Sequence, residues 1–252
     1  PPRSTLFPYT TLFRSDWRRH QLDEIRDYLI TNQTTGTVGK SLAGDTYPLR
    51  DFAPGESTSL GLFAQDEIGI GRLTVTPGLR LDSVKLRADP LAKTIGGQAF
   101  SATGQDHSAA SPKLAAIWRH SPVLSFYGQV VRAFRAPNYE EVNGLFYNAA
   151  QNYASLPNPD LKPETSTGIE VGSRFKLAGG DVHLALYHNK YSNFISNELI
   201  CAPPSGASQP ACLGNAVRSV YQSINLASVR IRGAELRGNW ALPGGFRSAG
   251  AI

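Results

Sequence analysis

Between Leu73 and Leu81 the chain alternates in steps of two: Leu73, Val75, Leu79 and Leu81 are apolar, and Thr74, Thr76, Arg80 and Asp82 fall between them. The same rhythm returns after residue 165, where Ile169, Val171, Phe175 and Leu177 oppose Glu170, Arg174 and Lys176. A period of two puts successive side chains on opposite faces of an extended strand, so each segment has one apolar and one polar face. Further strands are predicted over 60–68, 109–119, 123–133, 181–191 and 222–240. Residues 17–30 leave two forms open, since Leu22, Ile25 and Leu29 have helical spacing while a strand would continue the series. In 222–240 the phase slips at Gly233: Val229 and Ile231 share one face, Ala234 and Leu236 the other. A bulge at the glycine would account for such a slip.

The connections alternate too. Short turns fall at 69–71, 120–122, 178–180 and 243–245, and long polar segments at 85–108, 134–164 and 192–221. Strands with one apolar face suit either a soluble sheet with one wet side or a membrane barrel that is apolar outside and polar inside. A soluble sandwich has no reason to put its long connections at one end, whereas outer-membrane barrels have short periplasmic turns and long extracellular loops. The pattern therefore predicts an all-β chain: a fragment, about eight strands, of a larger antiparallel transmembrane β-barrel. Leu73, Val75, Leu79, Leu81, Ile169, Val171, Val182, Leu184 and Leu186 are expected to face lipid. Trp118 and Trp240, before short turns, and Tyr187 and Tyr191, toward a long loop, suit either interfacial girdles or ordinary strand preference.

Composition changes this picture at few points. No apolar run approaches the roughly 18 residues of a spanning helix. The net charge of +5 comes from basic residues scattered singly along the strands, which reads as a solvated lumen and rim and not as a nucleic-acid surface. With no Met in 252 residues, the chain reads as a piece of a larger protein. Residues 1–15, PPRSTLFPYTTLFRS, resemble translated adapter sequence and are set apart as a non-native leader, leaving 16–252 as a partial barrel domain. Cys201 and Cys212 fit one local disulfide in an oxidising compartment; a metal site would need a further His or Cys, and none stands near them.

About thirty residues between two of the clearest strands carry FRAP (Phe134, Arg135, Ala136, Pro137) and NPDLKPE, which begins Asn158, Pro159, Asp160, Leu161. With GLFAQDE (61–67), LTVTPGLRLD (73–82), ASPKLA (110–115) and IRGAEL (231–236), these motifs resemble the barrel of TonB-dependent outer-membrane receptors. The likeness is greatest to the haem and haemoglobin receptor group, whose motif pair is FRAP and NPxL. It implies active uptake of haem or haem from haemoproteins, with a ferric siderophore as the alternative cargo and no intrinsic cofactor. It also implies a plug domain, absent from this segment, through which the TonB energy-transducing complex acts. The expected surroundings are outer-membrane lipid and extracellular haemoproteins, in a Gram-negative outer membrane. A passive porin-like channel or an adhesin barrel is the reading from a different class.

No catalytic constellation emerges: GxSxG, HExxH and CxxC are all absent, and no enzyme is expected. TTGTVGKS (34–41) imitates a phosphate-binding loop but has Thr34 where the first Gly should stand. The five histidines are dispersed, and His183 and His188 fall on opposite strand faces. Haem receptors of the resembled group carry a His between FRAP and NPxL; here that interval holds Tyr139, Tyr147 and Tyr153. These are the candidate ligand residues, because a phenolate can ligate ferric haem. Loop packing is the competing role for all three. Residues 134–137 and 158–161 are expected to position the loop, with Arg135 pairing to Asp160 or Glu164.

Overall fold

A computed structural model describes residues 11–42, 45–51, 53–95, 98–148, 151–201, 213, 217–241 and 247–251. Its strands, in chain order, are β1 (Leu12–Leu22), β2 (Gly55–Gln65), β3 (Leu73–Ala88), β4 (Gln105–Arg119) and β5 (Leu124–Arg135). The long connection that follows contains a short helix, α1 (Tyr139–Asn143), and a small hairpin, β6 (Phe146–Asn148) and β7 (Tyr153–Leu156). Then come β8 (Glu164–Leu177), β9 (Gly180–Cys201), β10 (Ser219–Ala241) and β11 (Arg247–Ala251). The long strands form one antiparallel sheet in the order β1-β2-β3-β4-β5-β8-β9-β10, with β11 against the lower end of β10. β1 and β10 do not meet, so the sheet is an open arc, as a partial barrel must be.

Register assigns the faces. Leu73 pairs with Trp118, Leu79 with Pro112 and Leu81 with Leu62, all outward. Across β5, β8, β9 and β10 one outward rung reads Phe126, Ser173, Leu184, Leu236. Leu79, Leu81, Ile169, Val171, Leu184 and Leu186 are each more than two-fifths exposed, and a soluble fold would have buried them. They belong to the apolar belt, and the inner face carries Glu170, Arg174, Lys176 and Glu235. Such a face needs lipid.

Of the two forms left open for residues 17–30, the strand is the one formed: β1 runs to Leu22, and residues 12–15 pair with β2 as well. Three expectations change. Gly233 sits in regular register opposite Tyr187, and the ladder shifts instead between Leu199 and Cys201. A Cβ at Gly233 would run into the Tyr187 ring, so the glycine makes room for an aromatic cover, and Val229 and Ile231 line the lumen. Tyr187 and Tyr191 face the lumen opposite Glu170 and Ser166 and are not girdle residues; Trp118 and Trp240 lie outside. Finally, β9 runs to Cys201, ten residues past the predicted end at 191, and β10 begins at Ser219, three residues before 222.

The buried apolar core lies on the long-loop side. Leu145, Ala154, Leu156, Cys201, Leu213, Val217 and Val220 form one cluster, and Leu86, Tyr139 and Val142 another. Both are built between the β5–β8 connection and the upper ends of strands. The arc itself has no core of its own, since it spans lipid on one side and the lumen on the other.

Candidate functional site

The base of the β5–β8 connection is closed by an ionic chain. Arg135 Nε donates to Glu164 Oε2 at 2.6 Å and Nη2 to Oε1 at 3.0 Å, and Nη1 reaches both oxygens of Glu141 at 3.0 and 3.1 Å. Glu164 also accepts the Ile195 amide at 2.6 Å, which ties the network to β9. The planar guanidinium suits two carboxylates at once, where a lysine would serve as a single point charge. Of the two partners expected for Arg135, Glu164 takes the role. Asp160 is exposed, and its amide donates to Asn158 Oδ1.

Glu141 serves the helix as well. The Asn138 side chain caps α1 by accepting from the Glu141 amide at 2.8 Å, and Glu141 Oε2 accepts from the Asn138 amide at 2.8 Å. This capping box satisfies two end donors of a helix too short to stand alone. α1 then docks toward β2 and β3: Tyr139 packs with Val142 and Leu86, and its hydroxyl donates to the carbonyls of Ala53 and Pro54. Pro137 is fully buried beside it. The Asn143 side chain accepts from the Thr103 amide at 2.8 Å and donates to the Thr103 carbonyl at 3.0 Å.

From α1 the connection runs to the other end of the arc. β7 pairs in parallel with the upper end of β10, from Tyr153 opposite Ser219 to Leu156 opposite Gln222. The NPDLK segment follows the same strand: Asn158 Nδ2 donates to the Ser223 carbonyl, and Asn225 bonds the Lys162 amide and carbonyl. Leu161 is buried, while Pro159 and Asp160 are exposed. The connection therefore straps the long-loop side from β2 to β10, with the FRAP and NPDL motifs as its two anchors.

The structure separates the three candidate tyrosines. Tyr139 is buried, its hydroxyl is occupied, and burial, then the nearby Asp89 charge, hold its phenol above the usual tyrosine range. Deprotonation there is disfavoured. Tyr147 lies opposite Ala154 and packs on the core cluster. Tyr153 points to the other face of the hairpin, with Phe146 at 5.6 Å and Tyr221 at 6.3 Å between ring centroids.

That second face continues into residues the sequence did not single out. Arg26 lies 4.9 Å over the Phe146 ring and 5.9 and 5.8 Å from Tyr28 and Tyr47, which meet edge-on at 5.1 Å. An Asp51 carboxylate holds the guanidinium at 2.9 Å. Tyr28, Tyr47 and Phe146 thus surround one cation, and Tyr153 and Tyr221 extend the Phe146 side into an aromatic shelf on the long-loop side. Only Tyr153 stood out in the sequence; the others come from three separate segments joined by the fold.

The remaining chemistry is dispersed. Among the described residues no group of three His, Cys, Asp or Glu could hold a metal ion. His183 faces the lumen against Asp181, and His188 faces outward. Lys40 of the phosphate-loop look-alike is paired to Asp27 at 2.8 Å, within short hairpins. Cys201 is disulfide-bonded; its expected partner, Cys212, lies outside the described residues.

Comparison with known proteins places these features. The family model described as TonB dependent receptor-like, beta-barrel matches residues 3–251. The iron-regulated outer membrane virulence protein of Vibrio cholerae serotype O1 is 31% identical over 87 residues, 34% of this chain and 13% of that protein. Hemoglobin-haptoglobin utilization protein B of Neisseria meningitidis serogroup C is 27% identical over 184 residues, 69% of this chain and 22% of that protein. The chain thus matches less than a quarter of the length of each of these relatives. Among solved structures, the Serratia marcescens hemophore receptor HasR, in complex with its hemophore HasA and heme, superposes with a TM-score of 0.62 at 20% identity. That match covers 91% of this chain and 40% of HasR, and it bears on the fold alone.

Proposed function

The chain belongs to the TonB-dependent receptor-like β-barrel family of the Gram-negative outer membrane, and from that premise we propose that it is part of a receptor that imports haem. The aromatic shelf carries the reading. Phe146, Tyr153 and Tyr221 offer a polarisable surface to a flat ring system, and Arg26, its charge met by Asp51, packs over the Phe146 ring. A relative whose name concerns haemoglobin–haptoglobin utilisation supports the same class of cargo.

In this reading Tyr153 supplies the phenol oxygen nearest the cargo, while Tyr139 and Tyr147 hold the strap. The strap keeps the shelf at the mouth on the side where extracellular haemoproteins arrive. A plug domain and the TonB complex would supply closure and energy from outside this segment, as the family's mechanism requires.

The test uses the full-length receptor. Tyr153→Phe is expected to change the absorption spectrum of bound haem, and Phe146→Ala with Tyr221→Ala to weaken its binding at least tenfold. Tyr139→Phe should leave the spectrum unchanged. A wild-type spectrum and affinity in every shelf variant would rule the shelf out. The absence of histidine between Phe134 and Glu164 favours a second cargo, a ferric siderophore. Siderophore uptake without any haem binding in the unmodified receptor would establish it instead.

A further inference from the structure

The outward face changes character abruptly above the apolar belt. Four consecutive outward rungs across β8, β9 and β10 read Leu177–Gly180–Trp240, Phe175–Val182–Gly238, Ser173–Leu184–Leu236 and Val171–Leu186–Ala234. The next is Ile169–His188–Arg232, and above it lies Thr167–Lys190–Arg230, which β5 extends with Arg132 opposite Thr167. Three arginines and a lysine therefore share two rungs on the outside of the barrel, with His188 among them. All are exposed.

Height locates them. Thr167 lies ten residues above Leu177 on β8, about 34 Å along a strand at roughly 3.4 Å per residue. With strands tilted by about 40°, that is about 26 Å along the membrane normal, close to the roughly 25 Å of an outer-membrane apolar band. The basic rungs stand where acyl chains give way to headgroups, on the long-loop and hence extracellular side.

The opposite flank of the arc behaves differently. There the outward arginines are matched by acids: Arg87 pairs with Asp106 at 2.7 Å and Arg19 with Glu56 at 2.5 Å. On β5, β8, β9 and β10 no outward position from the belt to the basic rungs is Asp or Glu. Among the described residues none of Arg132, Lys190, Arg230 and Arg232 has an ion pair. Like charges on neighbouring strands repel, so an arrangement without acids calls for an anion from outside the chain.

We propose that Arg132, Lys190, Arg230 and Arg232 form a cradle for the phosphate groups of an outer-leaflet lipid headgroup, with the acyl chains lying along Val130, Ile169, Val171 and Leu186 below. Guanidinium groups bind phosphate through paired N–H donors, and the lysine adds a point charge. The occupant is a phosphorylated lipid rather than free phosphate, because the cradle opens onto the belt and has no wall of its own above it. The inference needs only the outer-membrane setting and is independent of the cargo.

The full-length receptor, reconstituted in phosphatidylcholine bilayers, is titrated with diphosphorylated lipid A while its melting temperature and bound lipid A are recorded. Lipid A should raise the melting temperature by several degrees, whereas the dephosphorylated lipid and inorganic phosphate should not. Arg132→Gln, Lys190→Gln, Arg230→Gln and Arg232→Gln combined should abolish the rise. Lys85→Gln with Arg87→Gln, on the acid-matched flank, should keep it. An undiminished rise in the fourfold variant would overturn the proposal, and so would an equal effect of dephosphorylated lipid or free phosphate on the unmodified receptor. Should the fourfold variant not insert, the single Gln variants must each lower the lipid A retained, and Arg→Lys must keep it; retention unchanged by any of them is equally fatal.

Discussion

Tyr139 lays its ring against the backbone of Gly55, where any side chain at residue 55 would overlap it, and its hydroxyl donates to the carbonyls of Ala53 and Pro54 just before. One contact thus fastens the β5–β8 strap to β2, eighty-odd residues away in sequence. Gly55→Ala should displace the ring and undock α1, seen as new protease cleavage within 138–150 and a lower melting temperature. Tyr139→Phe keeps the ring and loses the hydrogen bonds, a smaller loss of about 1 kcal/mol.

The same phenol makes the docking pH-dependent. Its folded-state pKa lies above its unfolded value of about 10, so the folded form holds the proton more tightly. The stabilisation is complete below about pH 10 and falls as pH rises through the folded pKa. Protease sensitivity of the strap should therefore climb at alkaline pH in the wild type. Tyr139→Phe should flatten that climb.

Arg135 joins Glu164 and Glu141 at the base of the strap. Arg135→Ala would leave two carboxylates facing each other and is expected to cost about 1.5–3 kcal/mol, read by thermal unfolding of the receptor. Arg135→Lys should recover less than half of this, since one ammonium cannot bond both partners in the plane. Full rescue by lysine would show that only charge matters here.

Lysine scanning separates the two faces. Leu79→Lys and Leu184→Lys, in the belt, should each cost about 2–4 kcal/mol, and Arg174→Lys, in the lumen, far less. Thr74, also on the inner face, is no such neutral control: it is buried and accepts from Arg119 Nη1 at 2.6 Å. Equal costs on the two faces would contradict the lipid assignment.

In intact cells, maleimide should label neither Cys201 nor Cys212 until a reductant is added. Replacing Cys201 by serine should lower stability by about 3 kcal/mol, as opening a loop of this length predicts. Labelling of both thiols without reduction would exclude the bridge between them.

Leu73–Leu81 and Ile169–Leu177 were legible in the sequence because lipid on one side and water on the other impose a strict period of two. Where that contrast ends, so did the signal: above Tyr191 and below Gln222 water wets both faces, and β9 and β10 continue without an apolar stripe to announce them. Gly233 misled for a related reason, as Val229 and Ile231 put apolar side chains on the lumen face. α1 and the β6–β7 hairpin are too short to declare themselves and exist through the contacts of Tyr139, Ala154 and Leu156. Arg135–Glu164 was within reach because both belong to the motifs. Arg26, Tyr28, Tyr47 and Tyr221 were not, since only the tertiary fold brings them to Phe146.

The extra length of β9 and β10 has a mechanical consequence. From Lys190 to Cys201 the pair stands clear of the belt by eleven residues, about 36 Å of ladder at roughly 3.3 Å per residue, with its one register shift at the tip between Leu199 and Cys201. A rod of that reach is a lever arm. A tilt of about 10° at the belt would carry its tip by about 6 Å, because the ladder keeps its length of about 36 Å as it turns. Because β7 is hydrogen-bonded to this rod, the strap would be dragged with it, and a small rocking of the barrel wall would be read at the mouth as a shift of the whole shelf.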